Sequence, residues 1–407
     1  MYITVRNLPT GSRPAAGRVP RTVVVLGLVS LLTDISTEMV TAVLPLFVTV
    51  ALGLSPLAFG VLDGVYQAGS ATARIVGGYC ADRLRRPKAI AVTGYSLGML
   101  SKALLLPAAG LASLSAAIGV DRVGKGLRTG PRDALIAGCS DPDALGRSFG
   151  VHRALDTLGA LLGPVLAFYL LTAAPEDFDM VFMVSMCIAG LGVVLLVSQV
   201  AEDRPPRRSE PRMSPKAAVR LIARSRGLRH LGVAAALLSA LTISDAFLYL
   251  SLLDSGAISP RLFPLLFLAT SLVYLVCAVP FGRLADRFGR ARMFVAGHVA
   301  IVVAYLLAGA AHGLAAAGVA LALLGLYYAA TDGVLPAATA AVVGAEWRAT
   351  AISALQTCVA LGRSVAALAF GALWTLVGAS AALWMFATGL LVALVLVGPV
   401  LLRAHAR

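Results

Sequence analysis

Roughly twelve apolar stretches of membrane-spanning length run through this chain, and several carry Asp, Glu, Lys or Arg near their centres. A charge at mid-bilayer costs roughly 3 kcal/mol on insertion scales. A chain keeps such charges where they face one another inside protein or line a water-filled path. The first expectation is therefore a polytopic membrane protein that moves a polar solute. Composition agrees: 59% of the 407 residues are apolar and 13% are charged, against about 45–50% and about 25% in a soluble domain. The net charge of +14 raises nucleic acid as a partner. The Lys and Arg are instead parcelled into short loops between apolar runs, which is the positive-inside pattern, so no nucleic acid is expected. The five cysteines stand singly, with no Cys/His spacing that would hold a metal.

The apolar runs fall near 23–49, 57–79, 90–110, 112–136, 148–172, 179–200, 229–252, 262–282, 292–312, 315–340, 348–374 and 380–402. Each approaches the ~20 residues needed to cross about 30 Å of hydrocarbon. Backbone polar groups must be satisfied within lipid, so these spans are expected to be helices. Lys and Arg number four before residue 23, four in 82–88, nine in 201–229 and three in 287–292, whereas the alternate connections hold only Arg261. Both termini are therefore expected in the cytoplasm. Met1–Arg21 lacks the short apolar core of a cleavable signal, so the first run is expected to remain as a span. The Pro-, Arg- and Ser-rich stretch 201–228 reads as a cytoplasmic linker. It separates a six-helix bundle at 23–200 from a second at 229–402, with tails at 1–22 and 403–407.

An internal repeat supports the halves. Gly78-Tyr79-Cys80-Ala81-Asp82-Arg83 returns as Gly282-Arg283-Leu284-Ala285-Asp286-Arg287, 204 positions later. Two matching halves are the expected build of a rocking transporter with its site at the shared midplane. A single chain so built needs no partner to form a pathway, and a monomer is expected.

These segments carry a resemblance. Gly78 to Lys88 is similar to the loop motif G-x-L-a-D-r-x-G-r-k of the major facilitator superfamily, with Cys80 and Arg85 as departures, and Gly282 to Arg290 fits it more fully. Arg122-Val123-Gly124-Lys125-Gly126 resembles the family's fourth-helix pattern R-x-x-q-G. Gly159-Ala160-Leu161-Leu162-Gly163-Pro164 resembles the start of its fifth-helix antiporter pattern, without the closing Gly pair. The run Asp34 to Met39, with Pro131 to Ala137, resembles a subgroup of bacterial facilitator proteins. The resemblance implies an all-α integral membrane protein with twelve transmembrane helices in two pseudo-symmetric six-helix bundles. It further implies alternating access, no cofactor, and kinship with drug or metabolite:proton antiporters of the bacterial inner membrane. Asp82 and Asp286, with Arg83 and Arg287, would each contact the facing half near the start of its fifth helix and lock the outward-facing state.

The intramembrane charges are the candidate site. Asp34 and Glu38 are four apart on the first span and point the same way. Asp121, Lys125, Arg128 and Arg132 form one stripe on the fourth, with Arg122 and Asp133 beside it. Asp156, Asp245, Asp332 and Arg363 lie at similar depths, and Asp63 lies nearer a span end. A carboxylate kept from water favours its protonated form, and a nearby cation reverses this, so such a set can take up and release protons. Asp34 and Glu38, then Asp156, are the expected proton carriers. Lys125, Arg128 and Arg122 are expected to bind an anionic substrate or to hold those carboxylates charged.

The competing reading is a set of static ion pairs stapling the helices. Gly159, Gly163 and Pro164 are read equally as packing residues. No G-x-S-x-G, HExxH or Walker-type loop occurs, so an enzyme is not expected. The leading expectation is proton-coupled export of a small organic molecule. Proton-coupled uptake, movement of an inorganic ion or metal, and a non-transporting receptor or scaffold stand as alternatives.

Overall fold

A computed structural model describes residues 19–84, 87–141, 145–201, 226–310, 313–342 and 348–404. Each of the twelve expected stretches is helical among the described residues, and no strand occurs there. The first half comprises α1 (Arg21–Leu46), which runs on into a π-helical turn at Phe47–Ala51, α2 (Pro56–Leu84), α3 (Pro87–Leu105), α4 (Leu111–Cys139), α5 (Leu145–Ala173) and α6 (Phe178–Gln199). The second comprises α7 (Arg226–Ser239), α8 (Asp245–Asp254), α9 (Phe263–Phe288), α10 (Arg290–Gly309), α11 (Leu314–Thr331), α12 (Val334–Val342), α13 (Arg348–Val377) and α14 (Ala379–Ala404). Among the described residues, eight of the stretches are long and apolar enough to cross a bilayer. The others are α2, α3, the charge-bearing α4 and the broken seventh pass.

Two passes depart from the continuous spans expected. The seventh breaks between Ser239 and Asp245. Its exposed backbone is satisfied locally: the Ile243 amide donates to the Tyr305 hydroxyl at 2.9 Å, as lipid-embedded backbone requires. Asp245 opens α8 in its first turn, where the helix dipole favours an anion. The tenth pass breaks at Asp332 and Gly333, a turn-forming pair.

Packing repeats from half to half. Helix α1 packs on α5 and α6, α2 on α4, and α3 on α4 and α6. The corresponding pairs recur as α7 on α13 and α14, α9 on α11, and α10 on α11 and α14. Between halves, α2 meets α13 and α5 meets α9, again a symmetry-related pair. The halves are thus two copies of one arrangement facing each other.

Glycine permits the closest approaches. A Cβ on Gly163 would lie 2.8 Å from both the Ile35 carbonyl and Glu38 Cβ, and one on Gly159 would lie 2.5 Å from the Leu31 carbonyl. Helix α5 therefore lies backbone to backbone on α1, beside the buried Pro164. Across the halves, a Cβ on Gly60 would lie 2.5 Å from the Ala367 carbonyl, and one on Gly371 2.7 Å from the Pro56 carbonyl. This α2/α13 seam sits at the end away from the termini.

Overpacking such a contact costs about 1–3 kcal/mol. Gly163→Val should therefore lower the thermal unfolding midpoint in detergent, while Gly119→Ala, whose Cβ meets open space, should leave it unchanged. Equal midpoints for the two variants would contradict the close α1/α5 packing.

Candidate translocation site

Among the described residues, a larger and a smaller chamber lie between the halves. The larger, about 610 Å³, is walled by Tyr66, Gln67 and Ser70 of α2 and by Arg122, Lys125 and Thr129 of α4. The second half contributes His298, Tyr327, Thr331, Asp332, Gln356 and Arg363. The direction of each helix puts this chamber on the terminus side of Arg363. The smaller, about 170 Å³, shares Tyr66, Gln67 and Arg363 and adds Asp63, Ser244, Asp245 and Tyr328 on the far side. Beyond it the buried rings of Phe59, Phe247 and Phe370 close the path, with centroids 5.0 Å apart for Phe59 and Phe247 and 4.9 Å for Phe247 and Phe370. Phe59 belongs to the first half and the other two to the second. The plug therefore crosses the interface beside the Gly60/Gly371 seam.

The charges of α4 sort by the neighbour each one meets. Asp121 takes Lys102 Nζ of α3 at 2.7 Å and also pairs with Arg122. The Arg122 guanidinium lies 3.9 Å from the centroid of the Tyr66 ring, a cation–π contact on the chamber wall. Arg128 turns inward to Asp34 at 3.7 Å and lies 4.9 Å from the Tyr95 ring centroid. Arg132 meets Asp133 at 3.0 Å and Asp156 at 3.8 Å. Asp156 also accepts Ser30 Oγ at 2.5 Å and Arg153 at 3.1 Å. Lys125 alone of the stripe is exposed and opens into the larger chamber. In the second half, Tyr328 donates its hydroxyl to Asp245, and Arg363 donates to Tyr327 Oη at 3.4 Å.

This arrangement is a polar chamber between two symmetry-related bundles, and the comparisons name the family that builds it. The profile of the Major Facilitator Superfamily matches residues 26–256 and 233–407. The chain belongs to the Major Facilitator Superfamily. An MFS-type transporter of Methanocaldococcus jannaschii is 30% identical over 365 residues, spanning 87% of this chain and 88% of the relative. An uncharacterized protein of Mycobacterium bovis is 34% identical over 178 residues, 44% of this chain and 43% of that protein. Among solved structures, the nucleoside transporter NupG superposes with a TM-score of 0.81 at 11% identity, covering 94% of this chain and all of that one. A peptide transporter of the POT family gives a TM-score of 0.76 at 16% identity, covering 97% and 96%. At such identities the likeness concerns the fold alone. The chain is a multi-pass membrane transporter of this superfamily.

The site residues expected from the sequence divide into three groups. Arg122, Lys125, Asp332 and Arg363 line the larger chamber, and Asp63, Asp245 and Arg363 the smaller. Asp34, Glu38, Arg128 and Asp156 are not on either wall. Asp34, Arg128 and Asp156 sit in ion pairs within the first half. Glu38 lies against the α5 glycine at 163, facing the field of Lys125 and Arg122. The loop residues form the third group. Side chains of Gly78, Asp82 and Arg83 fall outside the described residues. Asp286 pairs with Arg290 at 3.3 Å within its own half, because only Gly289 separates α9 from α10. Arg287 lies 5.3 Å from the neighbouring Phe288 ring centroid, and Gly282 borders open space.

Sequence reasoning passed over Lys102, Tyr66, Gln67, Tyr327 and Tyr328. A lone Lys in the apolar α3, and a Tyr-Tyr pair inside an Ala- and Leu-rich helix, were the available pointers. His298 also lines the larger chamber, with a ring nitrogen 2.8 Å from the Phe294 carbonyl. His152, next to Arg153 in the chain, is 3% exposed, because adjacent residues point about 100° apart on a helix, and only Arg153 reaches out.

The α3/α4 charge set predicts an order of stabilities. Asp121→Asn leaves Lys102 as a buried unpaired cation and should cost about 3–5 kcal/mol. Lys102→Met leaves Asp121 with Arg122 and should cost less, about 1–3 kcal/mol. Denaturation of the two purified variants in one detergent reads the order, and the reverse order would contradict this pairing.

Proposed function

We propose that this superfamily member is a secondary active transporter working by alternating access, which exports a small, anion-bearing organic molecule in exchange for protons. Both termini then lie in the cytoplasm, an orientation supported by the loop distribution of Lys and Arg, and the membrane on this reading is a bacterial inner membrane. The observation that carries the reading is the chamber of about 610 Å³ to which both halves contribute ionisable side chains. Its volume is that of a site for a small organic ligand. Its charges favour an anion: Lys125, Arg122 and Arg363 face one carboxylate, Asp332, among the described lining residues. Arg122 is already matched by Asp121, which leaves Lys125 and Arg363, one from each half, to engage a carboxylate or phosphate. Tyr66 and Tyr327 offer flat apolar faces beside them.

An inorganic metal ion fits less well, because a cation would meet this excess of positive groups. Uptake uses the same chamber and differs only in the direction of the gradient. Export is supported by the partial fifth-helix antiporter pattern.

In a thermal-shift screen of the purified protein, small organic carboxylates or phosphates should raise the melting temperature. Lys125→Ala and Arg363→Ala should each weaken binding about tenfold or more, since a hydrogen bond to a charged group contributes about 1.5–3 kcal/mol. Stabilisation by organic cations alone would move recognition to Asp332 and overturn the anion reading. Inverted vesicles then test coupling, because antiport requires the stabilising compound to accumulate only under an imposed proton gradient.

A further inference from the structure

We propose that Asp63 carries the coupling proton, and that losing this proton opens the end of the protein away from the termini. The inference rests on the proton-coupled reading above and assigns the role to a different residue from the three carboxylates the sequence put first.

Position is the first argument. Asp63 belongs to α2 of the first half, one helical turn from Phe59 of the aromatic plug and close to Gly60 of the glycine seam. The wall of the smaller chamber opposite it is second-half: Ser244 and Asp245 at the α7/α8 break, Tyr328 of α11 and Arg363 of α13. Any rocking of the halves at this seam must change the surroundings of Asp63. Asp34 and Asp156, by contrast, keep partners from their own half.

The second argument is the state of the atoms. Asp63 Oδ2 is buried without a hydrogen-bond partner, as is Ser244 Oγ, one of the polar groups beside it. The Nε of Arg363 is buried and unpartnered as well. No cation stands within ion-pair distance of Asp63 among the described residues. An ionised carboxylate left so would pay a large desolvation cost, whereas a protonated one needs only a single acceptor. Ser244 and Gln67 can each supply it.

The two chamber carboxylates also differ. Asp245 accepts the Tyr328 hydroxyl and sits in the first turn of α8, where the helix dipole favours an anion. Asp63 lies within α2 and has neither, and it shares the one cation of this chamber's described lining, Arg363, with Asp245. The charged and titratable groups around Asp63 are Tyr66 on its own helix and Asp245, Tyr328 and Arg363 across the interface, with Asp332 beyond Arg363. Helices α1, α4 and α9 present Thr41, Ile118 and Phe267, none of which titrates. Asp245 and Asp332 already draw on Arg363, so ionising Asp63 sets a second carboxylate against Asp245 across the interface with no cation of its own. Parting the seam separates the two carboxylates and admits water from the far side. Protonated Asp63 therefore goes with the closed far end, and ionised Asp63 with the open one. A proton taken up from that side closes the seam behind it.

The test needs no substrate. Spin labels are placed at Val50→Cys and Leu376→Cys, both exposed at the far end, after the five native cysteines are replaced by serine. Electron–electron resonance in lipid nanodiscs then measures the label separation from acid to alkaline pH. The parent should shift from a short to a longer distance as pH rises. Asp63→Asn, which mimics the protonated side chain, should keep the short distance at every pH, and Asp34→Asn should titrate as the parent does. Asp63→Glu, which keeps a titratable group one methylene farther out, should respond with a displaced midpoint. A pH response that survives Asp63→Asn, or is lost in Asp34→Asn, overturns the assignment and leaves proton coupling standing. A parent that does not respond to pH removes the proton-coupled reading itself.

Discussion

A charge inside the hydrocarbon layer must be met by another charge or by water, and this single requirement arranges the rest of the molecule. Helix α4 brings six ionisable residues into one pass, from Asp121 to Asp133. Five of them are matched by pairing: Asp121 with Lys102 and Arg122, Arg128 with Asp34, Arg132 with Asp133 and Asp156. Those pairs tie α4 to α1, α3 and α5 and make the first half a cohesive body. Lys125 is left facing the chamber. Static stapling and solute binding, which the sequence set against each other, are therefore both present on one helix, on different faces.

The second half solves the same problem differently. It carries fewer intramembrane charges, and aromatic hydroxyls share the work: Tyr328 serves Asp245, Tyr327 serves Arg363, and Tyr305 caps the freed amide of Ile243. The break in the seventh pass turns Asp245 into a helix-opening residue at the interface. The halves share a fold and a packing plan but divide the labour. One is fastened by ion pairs, and the other presents a broken helix and an arginine to the pathway.

Much of this was legible in the residues. Apolar runs of bilayer length, loop charges on alternate connections and the Gly-x-x-Ala-Asp-Arg repeat lead to a two-bundle helical membrane protein. The two helix breaks were also written there, in Ser244-Asp245 as a helix start and Asp332-Gly333 as a turn, but long hydropathy masks both. Helix rotation was not legible. A stripe of charges on α4 shows that its members share a side, not which neighbour each will meet. Arg128 and Lys125 are three residues apart, yet one is buried against Tyr95 and the other lies open, because α3 and α1 cover only part of that side. Lys102 was missed for a related reason: its significance lies in Asp121 on the next helix, and only packing brings them together.

The central claim is that the chamber between the halves is the path of the solute, reached in turn from each side of the membrane. Substituted-cysteine labelling in sealed vesicles of both orientations tests it most directly, with Thr129→Cys and Val359→Cys on opposite chamber walls. The account predicts that a membrane-impermeant thiol reagent modifies both positions from either face, in proportions that shift with pH. Modification from one face alone under every condition would contradict it.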